Sequence, residues 1–119
     1  MARVKISSCI KNKTTKEEHK VDTYAIYQDN KIQYKDGNIK VEIRKEKNQI
    51  IMIRADKEVS YEFLFQQGNS WCKCQLLKQN RKLKLSIMTD SLEINENNFK
   101  IEYQMEEGDK FEFTFFKEN

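Results

Sequence analysis

The chain has 119 residues, 22 Lys and Arg against 19 Asp and Glu, a formal net charge of +3, and 38% hydrophobic and 34% charged residues. That is the length of a single domain with enough apolar content for a core, which excludes a disordered chain. No apolar run approaches the roughly 20 residues of a membrane-spanning helix. Most Lys and Glu residues alternate with apolar ones, so no nucleic-acid partner is expected.

From the N-terminus, Arg3 to Lys13 alternates as a strand, with Val4, Ile6, Ser8 and Ile10 on one face. The start has no apolar stretch of the signal-peptide kind, so the expected location is cytoplasmic. Thr14 to Glu18 is a polar connection, and the stretch from Thr14 to Lys20 has room for one helical turn. His19 to Gln28 is a second strand with weaker alternation, Val21 and Ala25 sharing a face. Asp29-Asn30 signals a tight turn. Lys31 to Lys35 follows, with Ile32 and Tyr34 together, and then Asp36-Gly37, a strong hairpin signal.

Ile39, Val41 and Ile43 alternate with Lys40, Glu42 and Arg44, so the charged row is expected outside. Gln49 to Ala55 is apolar on both sides, and its face cannot be assigned by pattern. Val59, Tyr61, Phe63 and Phe65 share the face opposite Glu58, Ser60 and Glu62. Gln67-Gly68-Asn69 turns into Ser70 to Leu77. The basic run Lys78 to Lys84 is read as a solvated turn, and Trp71 as a rim residue or a barrel plug.

Leu83, Leu85 and Ile87 are odd-numbered, whereas Leu92 and Ile94 are even. A one-residue slip would turn the apolar row outward, so a bulge is expected near Thr89-Asp90-Ser91. Phe99, Ile101, Tyr103 and Met105 form the next row, and Phe111, Phe113 and Phe115 the last. The tail, Lys117-Glu118-Asn119, is expected to fray.

A strand every 8 to 12 residues joined by short turns favours an all-β barrel or sandwich. Consecutive hairpins make sequential strands neighbours, hence an antiparallel up-and-down meander closed into a barrel of about eight to ten strands. Cys9, Cys72 and Cys74 are an odd number, and Cys72 and Cys74 would lie about 6.6 Å apart with parallel side chains, which suits free thiols. No metal site or cofactor is expected, since His19 is the sole histidine and no four-ligand spacing exists. A nucleophile–histidine pair would have to recruit His19, so an enzyme is the less favoured class.

The chain resembles the YwiB-like family of small uncharacterised bacterial proteins with a lipocalin-like (calycin) β-barrel. The likeness is carried by V-K-I-S at Val4, Y-K-D at Tyr34, I-R-A-D-K at Ile53 and F-Q-Q-G-N at Phe65. L-K-L-S-I-M-T-D-S-L-E-I from Leu83 and F-K-I-E-Y-Q-M from Phe99 carry it further. The segment from Trp71 to Arg81 departs from the family pattern, which has an aromatic-rich strand and a Pro/Gly hairpin there. The resemblance implies that Ile50, Met52 and Arg54 face inward together; it implies no activity.

An inward Arg54 cannot shed its charge and needs a carboxylate, carbonyls or an anionic ligand. Two readings follow. In one, the barrel binds a small apolar or fatty-acid-like anion, with Arg54 orienting the charged end and Tyr34, Tyr61 and Tyr103 lining the cavity. In the other, the barrel is a non-enzymatic interaction or structural module with a filled interior, acting through its outer face or as a homodimer. Arg54 would then cap the mouth by pairing with an acid such as Asp56 or Glu58.

Overall fold

The computed structural model describes residues 2–118. Ten antiparallel strands follow one another: β1 (Ala2–Asn12), β2 (Glu18–Gln28), β3 (Lys31–Asp36), β4 (Ile39–Glu46) and β5 (Gln49–Ala55). They continue as β6 (Val59–Phe65), β7 (Gly68–Leu76), β8 (Arg81–Ile94), β9 (Asn98–Met105) and β10 (Lys110–Lys117). Each pairs with its neighbour in sequence and β1 pairs with β10, which closes the barrel in meander order. Closure removes the open edges that ten strands in a flat sheet would leave.

Alternation decides which side chains face inward. Ile6, Ile32, Val41, Ile43, Phe65, Phe99, Ile101 and Phe113 are buried and share one apolar interior. Phe99 stacks on Phe115 at 5.0 Å and meets Phe113 edge-on at 5.2 Å, while Phe65 lies 4.8 Å from Tyr103. The face of β5 is settled by burial: Ile50, Met52 and Arg54 point inward, and Ile51 and Ile53 are half-buried outside.

The parity slip in β8 is a bulge. Thr89 pairs with Tyr103 and Ser91 with Glu102, leaving Asp90 without a partner position. Both halves of the strand therefore keep an inward row, Ile87 and Thr89 before the bulge and Leu92 and Ile94 after it. The bulge is held by side chains. Gln67 Nε2 donates to the carbonyl of Asp90 at 2.9 Å, and the buried hydroxyls of Ser70 and Thr89 are bonded at 2.8 Å.

Turns follow their residue chemistry with two corrections. Asp29 and Asn30 both take positive φ, 54° and 63°, the conformation of a two-residue hairpin turn. The Asp36-Gly37 signal is displaced by one residue: Gly37 turns at φ 62°, but Asp36 still pairs with Ile39 as the last residue of β3. The stretch after β1 is no helix; Asn12 Oδ1 accepts the N–H groups of Thr14 and Thr15 at 2.9 and 3.0 Å, a side-chain-capped turn.

At the C-terminus the expected fraying does not extend to Lys117 and Glu118. Their N–H groups donate to the carbonyls of Asn97 at 2.7 Å and Lys5 at 2.9 Å. Asn119 lies outside the described residues.

One junction differs from the rest. β1 and β2 stay in register from Ala2–Tyr27 to Lys11–Glu18, but β2 and β3 pair only from Ile26–Gln33 to Gln28–Lys31. Beyond their turn the two strands part, and the barrel wall has a seam there.

Candidate functional site

Arg54 sits near the end of β5, two strands from Asp36 on β3; Val41 of β4 is in register with Arg54 and Tyr34, and Asp36 lies two residues further along, opposite Ile39. Arg54 Nη2 donates to Asp36 Oδ2 at 2.8 Å, and His19 Nε2 of β2 lies 2.6 Å from the same oxygen. The side chains of Arg54 and Asp36 are 17% and 14% exposed, and that of His19 is 57% exposed. Burial works to raise the Asp36 carboxyl pKa, but the Arg54 guanidinium and the His19 ring outweigh it and hold it below the ordinary value. The cluster closes one barrel mouth and ties β2 to β3 across the unpaired part of their seam.

The two acids expected to partner Arg54 are occupied elsewhere. Asp56 Oδ1 accepts the N–H groups of Glu58 and Val59 at 2.7 and 3.0 Å, and Glu58 faces Lys78 at 3.9 Å. Asp56 is a turn residue by the same side-chain logic that made Asp36 look like one.

The three tyrosines occupy different surroundings. Tyr34 is buried near Arg54; burial raises its pKa, opposed by the nearby Ser8 hydroxyl and by the Arg54 charge. Tyr103 is deeper, stacked on Phe111 at 5.2 Å, and burial pushes its hydroxyl strongly upward. Tyr61 is the register partner of Arg54 but is 38% exposed at the mouth, beside Cys74. The structure thus brings Tyr34 and Tyr103 within the field of Arg54 and leaves Tyr61 at the rim.

Cys72 and Cys74 both point inward from β7 as free, buried thiols, and burial pushes the Cys72 thiol up to about 12. Among the described residues no three of His, Cys, Asp and Glu converge as metal ligands would. The charged row of β4 lies outside, where Glu42 accepts from Arg44 Nε at 2.7 Å and from Gln33 at 3.0 Å. The opposite mouth is closed by Lys45, whose ammonium donates to the Asn95 carbonyl at 2.8 Å and also to that of Glu96.

The seam itself opens a cavity of about 980 Å³. Inward-facing Ala25, Tyr34 and Val41 line it together with outward-facing Tyr24, Ile26 and Ile53. Its rim carries Arg3, Lys35 and Lys40, with Glu42 the one acid lining it. Arg3 rests on the Tyr24 ring at 4.3 Å. Lys35 and Lys40 are direct cross-strand partners, and among the described residues neither has a carboxylate within 4.0 Å. Like charges placed opposite one another cost a sheet stability.

Sequence reasoning missed Asp36, His19 and this rim. Asp36 was masked by the turn signal, and His19 by the weak alternation of β2. The opposed pair Lys35 and Lys40 was open to inspection, since the two flank the Gly37 turn symmetrically.

No family model matches the chain, and no curated protein sequence does. Its fold is similar to that of the YwiB protein from Bacillus subtilis, known from a crystal structure. The likeness has a TM-score of 0.70 at 18% identity, covering 98% of this chain and 89% of that one. At that identity the likeness is one of fold.

Proposed function

We propose that the protein binds a small amphipathic anion of the fatty-acid kind in the cleft between β2 and β3. The observation that carries the reading is the union of an apolar floor, Ala25, Ile26, Tyr34, Val41 and Ile53, with the opposed, unpaired Lys35 and Lys40 at its rim. A carboxylate or phosphate between the two lysines would relieve their repulsion while its apolar tail covers the floor. The volume is in the range of small-molecule sites, roughly 300–1,000 Å³. The central interior is a poorer host because Phe65, Phe99 and Phe113 fill it.

In this reading Tyr34 contacts the ligand from inside the wall. Arg54 holds the wall's shape through Asp36, and Tyr61 and Tyr103 belong to the mouth and the core. We further propose that the barrel is of the lipocalin-like (calycin) kind, on the strength of its closed meander order, and that it works in the cytoplasm, where three free thiols would stay reduced.

Displacement of an environment-sensitive fluorescent fatty acid, with native mass spectrometry of the complex, tests the reading. Lys35→Glu with Lys40→Glu weakens binding by about tenfold, the equivalent of about 1.4 kcal/mol. A larger loss in Arg54→Ala than in the lysine pair would move the anionic end into the barrel. No binding across a panel of fatty acids and lysophospholipids would favour the other reading, a filled module acting through its outer face or as a homodimer.

A further inference from the structure

Charge is distributed unevenly along the chain. Five of its 22 cations and none of its 19 acids fall between Phe63 and Thr89, so the remainder carries 17 cations against 19 acids. The five are Lys73, Lys78, Arg81, Lys82 and Lys84, all on the β7–β8 hairpin. Lys73 and Lys84 are direct cross-strand partners, a second like-charged pair on the outer wall. Among the described residues only Lys78 of the five meets a carboxylate within 4.0 Å, Glu58 at 3.9 Å. Glu62, the register partner of Lys73, and Glu106, which accepts from the Ser86 N–H, border the patch.

Large apolar side chains stand exposed among these charges. Leu77 is 43% exposed and Leu83 50%, and the register sets Leu83 beside Cys74 and Tyr61 at the same barrel mouth. The hairpin tip is fixed, because the Leu77 N–H donates to the Glu58 carbonyl of the β5–β6 turn at 2.9 Å. Trp71 lies on the outer wall with Lys73 4.6 Å and Lys84 5.7 Å from its ring centre, so the lysines already occupy the π-surface. That arrangement leaves the indole little free face for a nucleic-acid base to stack on.

We infer that the β7–β8 end of the barrel docks on an anionic lipid surface, with Leu77 and Leu83 entering the interface and the hairpin cations lying against the headgroup phosphates. A cluster of four to eight cations is the size that anionic leaflets retain, at about 1 kcal/mol for each Lys or Arg near the surface. Apolar side chains flanked by long cationic ones suit this boundary, since the stems cover apolar depth and the ammonium groups stay wet. The contact is peripheral: the outward rows of β3 and β4 carry Gln33, Lys35, Lys40 and Glu42, which leaves no continuous apolar band for immersion. The inference stands apart from the cleft between β2 and β3, on other strands and other residues.

Co-sedimentation of the full chain with vesicles tests it. Vesicles of phosphatidylcholine containing phosphatidylglycerol bring the protein down at low salt, high salt releases it, and vesicles of phosphatidylcholine alone leave it in solution. Lys82→Gln with Lys84→Gln weakens binding about fivefold per lysine, so about 25-fold for the pair. Leu77→Ser with Leu83→Ser weakens it as well, and unchanged thermal melts show that these exposed variants fold. No anionic-vesicle binding at low salt, or leucine variants that bind as the parent does, would overturn the proposal. So would tighter binding to a single-stranded oligonucleotide that vesicles fail to displace.

Discussion

Arg54 and Asp36 reach one another across an intervening strand, 2.8 Å from guanidinium to carboxylate, at the mouth of the barrel. The pair fixes β5 to β3 across β4, and His19 extends the same link to β2. Ion pairs this sheltered are held in one geometry, and removing one partner strands the other.

Arg54→Ala therefore destabilises the fold by about 1.5–3 kcal/mol, the worth of a hydrogen bond to a charged group. Urea denaturation of the parent, Arg54→Ala and Asp36→Asn checks it. A parent-like midpoint in Arg54→Ala would remove the structural role assigned to this residue.

Acid weakens the protein in a defined window. Asp36, Glu42 and Asp56 all titrate below their ordinary values of 3.8, 4.5 and 3.8. For Asp36 and Glu42 burial opposes the shift, and hydrogen bonds and nearby cations overcome it; for Asp56 the backbone N–H groups of Glu58 and Val59 cause it. Each carboxyl binds protons more readily in the unfolded chain. Its contribution is thus complete above the ordinary value and disappears as pH falls through the lower folded value. Denaturation midpoints that stay level from neutral pH to about 5 and drop below about 4 are expected, with a shallower drop in Asp36→Asn.

The bulge depends on its hydroxyl pair. Thr89→Val leaves the buried Ser70 hydroxyl without its 2.8 Å partner. The cost is about 1–3 kcal/mol if nothing replaces it. Ser70 also bonds the Gln66 carbonyl at 2.9 Å, which puts the expected loss at the lower end. Thermal melts measure this, and a stabilised Thr89→Val would show that the hydroxyls are dispensable.

Thiol chemistry separates the cysteines. Cys72 is buried with its thiol pushed up to about 12, whereas Cys9 is half-buried on β1. Thiolate, not thiol, attacks disulfide reagents. Native labelling followed by peptide mapping should find Cys9 modified and Cys72 protected until denaturant is added. Early modification of Cys72 would mean that β7 opens in the native state.

The sequence disclosed the architecture through side-chain parity. Rows such as Phe99, Ile101, Tyr103 and Met105 leave little choice of face, and the slip between Ile87 and Leu92 located the bulge within three residues. The site was less legible because its members lie where parity carries no information. Asp36 has the same type and neighbour as a turn residue, and only pairing with Ile39 makes it a strand end. Ile50 to Ile53 is apolar on both sides because its outer face is half-covered too, so the alternation does not show which way Arg54 points. The closeness of His19 and Asp36 depends on how two strands diverge, a property of the whole barrel's curvature.

That divergence makes the wall unequal in strength around its circumference. The part of β2 that precedes Ile26 has no ladder partner on the side toward β3, and three side chains, His19, Asp36 and Arg54, stand in for the missing rungs. Breathing of the native state should begin at this place, as a stave lifting from a cask whose other joints stay tight. The same spot carries the cleft of about 980 Å³, so widening it need not disturb the packed phenylalanines behind it.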